Sequence, residues 1–279
     1  MRFEIVTIFP DFFQGFLENG ILRRALAEGL VEVGIHDLRA FTHDRHRTVD
    51  DRPFGGGEGM VLKPQPIAEA LASIGVPPKA ERTDNHTCVV LLSAQGRTFS
   101  QAMARKLAGS GVEQPQRVVL ICGRYEGVDE RINERFCDLE LSIGDYILSG
   151  GELAAAVVID AVMRLIPGVL GNQASGEFES FGVADDQIDC DEDGVPRSQH
   201  GAGGLLDYPH YTRPAEFAGM QVPEPLLNGD HLQIRRWRRQ QQLKKTLHNR
   251  PDLLQRATLN KKDQEFLETL RSSSEEPAN

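Results

Sequence analysis

The feature that most constrains the fold is the alternation of short apolar runs with segments of helical periodicity over the first 168 residues. Two of these runs, CVVLLSA (88–94) and RVVLICG (117–123), are apolar on both faces of an extended chain. Strands buried on both faces are typical of parallel sheets covered by helices, whereas half-exposed strands alternate apolar and polar residues. The alternation therefore predicts an α/β fold with a largely parallel sheet.

The remaining segments fit the same alternation. Strands are predicted at RFEIVTIF (2–9) and VEVGIHDL (31–38), and a short strand with a loop at 138–151. Asp11 is predicted to cap a helix that follows the first strand. Helices are predicted for ILRRALAEGL (21–30), PQPIAEALASIG (64–75), TFSQAMARKLAG (98–109), DERINERF (129–136) and the almost entirely apolar 152–168.

The alternation stops at Gly168, and this gives the predicted domain organisation. Residues 1–168 form the α/β domain, and residues 206–270 form a small all-helical domain. The segment between them, 169–205, is predicted to be a flexible linker with an acidic insertion, because residues 185–193 carry six acids and no base. Residues 271–279 are predicted to be a disordered tail.

The charge distribution indicates which partners the protein can bind, and the cysteines indicate its cellular compartment. The net charge of −10 argues against a generic nucleic-acid binder, but residues 231–250 carry seven Lys or Arg and no acid. Such a helix can form a local face for a polyanion, with Arg235, Arg238, Arg239, Gln242 and Lys245 on one side. The four cysteines form no CxxC pair, which indicates reduced thiols and a cytoplasmic protein, and no apolar run is long enough for a membrane span.

Three glycine-containing loops follow apolar segments and indicate a ligand site. They are LSAQGR (92–97), CGRYEG (122–127) and SIGDYILSGGEL (142–153). In a parallel sheet such loops meet at the carboxyl edge, where ligands bind. GGGEGM (55–60) lacks the spacing of a dinucleotide-binding loop. HDRHR (43–47) lacks a third metal ligand, so no metal site is predicted.

Long ordered motifs give the chain a resemblance to a known family. SIGDYILSGGEL, CGRYEGVDERI, FTHDRHRTVDDRPFGGG, IPGVLGNQAS and GLLDYPHYTRP together resemble the bacterial tRNA (guanine-N1)-methyltransferases of the SPOUT superfamily. The resemblance implies a trefoil-knotted α/β domain, an obligate antiparallel homodimer and S-adenosylmethionine as methyl donor. It further implies a tRNA substrate, methylated on N1 of guanine 37, directly 3′ of the anticodon.

The resemblance also implies site residues. Those matching the family's cofactor pocket are Gly123, Ile143, Gly144, Asp145, Tyr146, Ile147 and Leu148, with Ser93, Gln95, Gly96, Tyr125, Glu126, Gly150 and Gly151 as neighbours. Positions that match tRNA contacts are Asp50, Gly59 and Ser175, to which the basic helix adds Arg235 and Arg239.

Methylation of guanine N1 needs a general base for the N1 proton and a cation for the charge that develops on O6. The family match makes Arg164 the cation, although an ion pair with Asp160 alone would also account for it. The family's base is an aspartate, and ASGEFESF (174–181) places Glu179 at that position. Glu177, Asp185 and Asp186 are the alternatives, because the insertion at 182–203 blurs the register.

Two other functions stay open at this stage. The replacement of aspartate by Glu179 and the insertion are compatible with an RNA-binding relative that has lost catalysis. A SPOUT methyltransferase with a different target nucleotide is the other. A Mg²⁺ requirement is also open, since no ligand spacing in the insertion specifies a site.

Overall fold

A computed structural model describes residues 1–83, 85–109, 115–171, 179–182 and 203–274. They belong to two compact units, Met1–Gly171 and Asn172–Asn279. Glu177, Ser175, Asp185 and Asp186 lie outside the described residues, as does most of the acidic insertion.

The first unit is built on a five-stranded sheet whose neighbouring strands are all parallel, in the order β2-β1-β6-β5-β7. A small antiparallel pair, β3-β4, lies apart from it. The strands are β1 (Arg2–Thr7), β2 (Glu32–Asp37), β3 (Asp50–Asp51), β4 (Val61–Leu62), β5 (Thr87–Thr98), β6 (Arg117–Cys122) and β7 (Leu139–Ser142). The predicted α/β class with a parallel sheet is confirmed.

Helices begin and end at residues that are suited to helix termini, such as a capping serine, a first-turn proline or a terminal glycine. The Ser100 side chain accepts a hydrogen bond from the Met103 amide at the start of one helix, which ends before the left-handed Gly109 (φ 88°). Pro64 occupies the first turn of another, where no amide donor is needed. The helices are α1 (Gln14–Leu17), α2 (Gly20–Ala27), α3 (Pro64–Ser73), α4 (Gln101–Ala108), α5 (Glu130–Phe136) and α6 (Glu152–Met163).

Two local predictions were wrong. Asp11 caps no helix; it lies inside a short 3-10 turn, Pro10–Phe13, that has no side-chain cap. Helix α6 ends at Met163 rather than at Gly168. Its continuation tightens into turns in which the Leu165 and Ile166 amides bond three residues back, and Pro167 has no amide to donate.

Strand β5 is longer than predicted, because the chain does not leave the sheet at LSAQGR. Leu92 and Arg97 both pair with Leu141 of β7, so the residues between them bulge out and the strand then resumes. A Cβ on Gly96 would collide with the backbone of Glu140 and Leu141. The predicted loop is therefore a bulge within the strand, which glycine makes possible.

Alternate residues of the central strands enter two different cores, as expected for a sheet covered on both faces. On β6, Val118 and Leu120 pack with α4 and α6, whereas Val119 and Ile121 pack with α3 and α5. Each fully buried side chain of this kind contributes about 1.5–3 kcal/mol. The apolar runs of the sequence thus reflect burial on both sides of the sheet.

The second unit contains α7 (His231–Asn249), α8 (Pro251–Leu254) and α9 (Lys261–Ser274) around a core of Leu205, Leu243, Leu254 and Leu267. It also contains a hairpin of β8 (Glu216–Phe217) and β9 (Met220–Gln221), which an all-helical domain would lack. Ala218 and Gly219 both have positive φ, the geometry of a two-residue hairpin turn. Within the described residues, no helix combines the length and apolarity needed to cross a membrane.

Candidate functional site

A pocket of about 400 Å³ lies at the carboxyl edge of β5, β6 and β7 in the first unit. It is lined by the three glycine-containing segments that the sequence singled out. Twelve of the fourteen predicted cofactor residues line it, namely Ser93, Gln95, Gly123, Tyr125, Glu126, Ile143, Gly144, Tyr146, Ile147, Leu148, Gly150 and Gly151. Sequence motifs far apart along the chain are therefore brought together at one pocket.

Gly96 and Asp145 are not among the residues that line the pocket. Gly96 lies against the backbone of β7, where it allows the bulge in β5. The side chain of Asp145 is exposed. The structure therefore gives Gly96 a packing role and brings no pocket contact for Asp145.

The loop that follows β7 is held by its own hydrogen bonds. The Ser142 hydroxyl accepts from the Gly144 amide (3.2 Å) and donates to the Gly144 carbonyl (3.0 Å). The Tyr146 hydroxyl donates to the Ile143 carbonyl (3.1 Å). These hydrogen bonds are all made within the loop, and they stabilise its conformation at the pocket.

The loops after β6 and β7 are joined through their backbones. The Gly151 amide donates to the Gly123 carbonyl (2.9 Å), and Arg124 pairs with Gly150 in an antiparallel bridge. A Cβ on Gly151 would lie 2.7 Å from the Cys122 Cα atom, which real side chains do not tolerate. Glycine is required here by the close approach of two backbones.

A buried polar cluster beneath these loops was missed by sequence reasoning. The Glu152 carboxylate is 2% exposed; it accepts from the Thr7 hydroxyl (2.7 Å) and from Arg124 Nε (3.1 Å). The Arg124 guanidinium also stacks over the Phe9 ring at 4.5 Å. The available signal was a glutamate at the start of an otherwise apolar helix, where a carboxylate needs a partner.

The polar stretch 41–60 packs beside the pocket. The Glu126 amide donates to the Met60 carbonyl (3.0 Å), and a Cβ on Gly59 would overlap the Glu126 side chain. Burial and the hydrogen bond with Asp50 raise the pKa of the Tyr125 hydroxyl. The structure therefore brings two predicted tRNA residues, Asp50 and Gly59, against two residues of the pocket wall.

The two predicted catalytic residues lie in different units. Arg164 directly follows α6 in the first unit and is partly buried. Glu179 belongs to the second unit, is partly buried, and its carbonyl accepts a hydrogen bond from the Gly182 amide (3.0 Å). Ser175 and the alternative bases are outside the described residues.

The predicted RNA face of the basic helix needs correction. Arg239 forms a bidentate ion pair with Asp263 of α9, at 2.7 Å, with the two side chains 13% and 5% exposed. Gln242 is buried, and Arg235 and Arg238 are partly buried, with the Arg238 guanidinium over the Tyr208 ring at 4.8 Å. Most of that face therefore packs against its own unit, as the buried Leu243 and Thr246 do, and of its five residues only Lys245 is exposed. Arg236 and Lys244 are also exposed on this helix.

Of the described cysteines, Cys122 and Cys137 are buried and Cys88 is partly buried. Burial raises the pKa of Cys88 to about 11, that of Cys137 to about 12, and that of Cys122 well above its usual value. All three are free of disulfide bonds. In the described part of the chain no group of three or more His, Cys, Asp or Glu is arranged for a metal ion; His43 instead contacts Glu69 at 2.8 Å.

Comparison with known proteins agrees with these features. A family model described as tRNA (guanine-1)-methyltransferase TrmD matches residues 1–256. The tRNA (guanine-N(1)-)-methyltransferase of Koribacter versatilis is 54% identical over 275 residues, covering 99% of this chain and 100% of the relative. Those of Geobacter metallireducens and Dehalococcoides mccartyi are 47% and 46% identical, covering 96% and 97% of both chains. The resemblance drawn from the motifs is confirmed, and the chain belongs to the tRNA (guanine-1)-methyltransferase family of SPOUT enzymes.

Proposed function

We propose that the protein transfers a methyl group from S-adenosylmethionine to N1 of guanine 37 in tRNA. The observation that carries the proposal is the pocket at the carboxyl edge of the sheet, formed by the motifs that the family shares. Family membership makes the protein a tRNA methyltransferase; the donor, the position and the mechanism are the proposed parts.

The pocket suits S-adenosylmethionine in size and in chemistry. Its volume of about 400 Å³ is within the range for small-molecule sites. Glycines at 123, 144, 150 and 151 carry no side chain, so the backbone of the pocket wall can approach a flat adenine closely. The acidic side chains of Glu126, Glu130 and Glu140 line the same pocket and complement the donor's positive charges. When bound, the donor supplies an electrophilic methyl group on sulfur.

The protein's own contribution to catalysis is a base and a cation. Glu179 removes the N1 proton of guanine, and Arg164 stabilises the negative charge that develops on O6. Glutamate has nearly the same unperturbed pKa as the family's aspartate, ~4.3 against ~3.9, but its side chain is one methylene longer. The linker position of Glu179 supports this role, since a loop can absorb the additional length.

Replacement of the proposed base separates chemistry from binding. We expect Glu179→Gln to lower kcat by at least ~100-fold, because the amide cannot take a proton, with little change in S-adenosylmethionine affinity. Single-turnover methylation and calorimetric binding measure the two quantities. Glu177→Gln is the matched control and should retain activity. An unaltered kcat in Glu179→Gln would transfer the role to Glu177, Asp185 or Asp186.

The second unit and the 41–60 loop supply surfaces that fit tRNA. Arg236, Lys244 and Lys245 are exposed on α7 and suit phosphate contacts. Phe54, which precedes three glycines in the 41–60 stretch, is 100% exposed, so its ring is available to stack on an unpaired base. We therefore place Asp50, Gly59 and Phe54 near the target base. Arg239 is not one of the proposed phosphate contacts, because it is paired with Asp263.

A homodimer is part of the proposal. Leu153 and Val157, one turn apart on α6, are 51% and 45% exposed, although most of this helix is buried. Phe9 and Phe12 are also exposed in the first unit. Exposed apolar side chains at helical spacing favour burial by a second copy. Light scattering after gel filtration should give twice the mass of 30.9 kDa.

One assay decides between the proposed activity and its alternatives. The protein is incubated with undermodified tRNA and labelled S-adenosylmethionine, and the nucleosides are then analysed. 1-Methylguanosine next to the anticodon supports the proposal. Cofactor and tRNA binding without product would identify a relative that has lost catalysis, and another methylated nucleoside would identify a different target.

A further inference from the structure

Arg124 stands out chemically among the described residues that line the pocket. The pocket lining includes three glutamates, Glu126, Glu130 and Glu140, and Arg124 is its single cationic side chain within the described residues. Arg124 is not among the site residues predicted from the family motifs. A single cation in an acidic pocket calls for an explanation, since it would best serve a ligand that carries one negative group among positive ones.

The guanidinium of Arg124 is held on one side only. Its Nε donates to Glu152 at 3.1 Å, and its plane lies over Phe9 at 4.5 Å. Within the described part of the chain, its two terminal amino groups have no hydrogen-bond partner, while the Arg124 side chain is 22% exposed. An arginine fixed through Nε in this way keeps the two donors that bind a carboxylate or phosphate side by side.

Glu152 and Thr7 explain why the guanidinium keeps its position. Glu152 is almost wholly buried, so its charge must be compensated by hydrogen bonds and by a cation. Thr7, itself fully buried, donates to one oxygen and Arg124 to the other. Glu152, the first residue of α6, is thus held to β1 by Thr7, and its other oxygen holds Arg124 in place.

We propose that Arg124 binds the α-carboxylate of the amino-acid part of the methyl donor, and that Glu152 and Thr7 are its positioning residues. The inference rests on the proposed use of S-adenosylmethionine. The donor's sulfonium and ammonium groups are complemented by the three glutamates of the pocket, and its one carboxylate is complemented by Arg124. A tRNA phosphate fits less well, because the same three glutamates would repel a polyanion.

The test compares two ligands that differ only in the carboxylate. Calorimetry measures the affinity of the full-length protein for S-adenosylhomocysteine and for its decarboxylated analogue. Arg124→Met should lower the affinity for S-adenosylhomocysteine about 10- to 100-fold, which is the range for a charge-assisted hydrogen bond. The affinity for the decarboxylated analogue should fall less than about 3-fold. Arg131→Met is the matched control: Arg131 is exposed, pairs with Asp129 and does not line the pocket, so both affinities should be unchanged.

Glu152→Gln tests the positioning role through the same comparison, the affinity for S-adenosylhomocysteine against that for the decarboxylated analogue. We expect a selective loss of S-adenosylhomocysteine affinity smaller than that of Arg124→Met, with the decarboxylated analogue little affected. If Glu152 had a structural role alone, the substitution would lower the affinity for both ligands by the same factor. Thermal melting of each variant reports any loss of folding separately. Equal losses for both ligands in Arg124→Met would overturn the carboxylate assignment.

Two further outcomes are also decisive. If Arg124→Met leaves both ligand affinities unchanged but weakens tRNA binding, then Arg124 contacts phosphate and the inference fails. If the unaltered protein binds neither ligand, the proposed donor itself is wrong, which differs from a failure confined to Arg124.

Discussion

At the scale of single residues, the sheet contains a buried carboxylate, Glu4, which requires cationic partners and a small residue on the neighbouring strand. Glu4 on β1 is fully buried and is contacted by Arg2 Nε (2.6 Å), His36 Nε2 (2.7 Å) and Arg117 Nη2 (3.3 Å). Gly34 lies opposite Glu4 on β2. The carboxylate takes the space that a side chain at position 34 would occupy, so that position must be glycine.

Gly34→Ala should therefore destabilise the protein. The added Cβ would collide with the Glu4 carboxylate and lie 3.2 Å from His36 Nε2. We expect the free energy of unfolding to fall by about 1–3 kcal/mol, as for other overpacked sites. Urea titration followed by circular dichroism measures it. Gly15→Ala is the control, since its Cβ would meet no atom within 4 Å; equal stability of the two variants would refute the argument.

The buried thiols predict a loss of stability at high pH. Burial raises the pKa of Cys88 from 9.0 to about 11 in the folded protein, so above pH 9 the unfolded chain releases a thiol proton that the folded chain retains. Stability is complete below pH 9 and falls towards pH 11, by on the order of 1 kcal/mol at pH 10 for this group. Urea unfolding at pH 8 and pH 10 measures the loss. It should be smaller in Cys88→Ala, and an identical loss would exclude this thiol as a cause.

At the scale of elements, the basic helix α7 shows how one helix divides its charges. One side holds the second unit together through Leu243, Thr246 and the Arg239–Asp263 pair. The other side presents Arg236, Lys244 and Lys245 to solvent. The periodicity of arginines alone could not distinguish these sides, because both carry Arg.

Two arginine variants should separate structure from RNA binding. Arg239→Met leaves Asp263 buried without its cation, and we expect a loss of about 3 kcal/mol in the free energy of unfolding. Arg236→Met should change stability by less than ~0.5 kcal/mol but weaken tRNA binding and reduce its salt dependence by about one phosphate contact. Urea unfolding and filter binding at several salt concentrations test the pair. The reverse pattern would restore Arg239 as a tRNA residue.

At the scale of the whole molecule, each of the two units has an apolar core of its own among the residues that the structure describes. Both cores of the α/β sheet consist of residues from the first unit, whereas Leu205, Leu243, Leu254 and Leu267 form a core in the second. The pocket is likewise formed by residues of the first unit. Domains with their own cores can fold independently.

A chain of residues 1–171 should therefore fold and bind S-adenosylhomocysteine with an affinity within about 3-fold of the full-length value. It should not methylate tRNA, because Glu179 and the basic helix are missing. Circular dichroism, calorimetry and the methylation assay measure folding, binding and activity. Methylation by this fragment would show that neither Glu179 nor the second unit is needed.

The sequence by itself determined the α/β class, the parallel sheet, the family and the glycine-containing loops of the pocket. The family follows from the resemblance of the long motifs. The class, the sheet and the loops follow from local patterns, because burial on both faces leaves an unbroken apolar run and a close backbone approach requires glycine. Only the tertiary structure decided that β5 continues through its bulge, that Arg239 pairs with Asp263, and that Arg124, Glu152 and Thr7 meet beneath the pocket. These depend on contacts between residues distant along the chain, where the partner rather than the residue type sets the role.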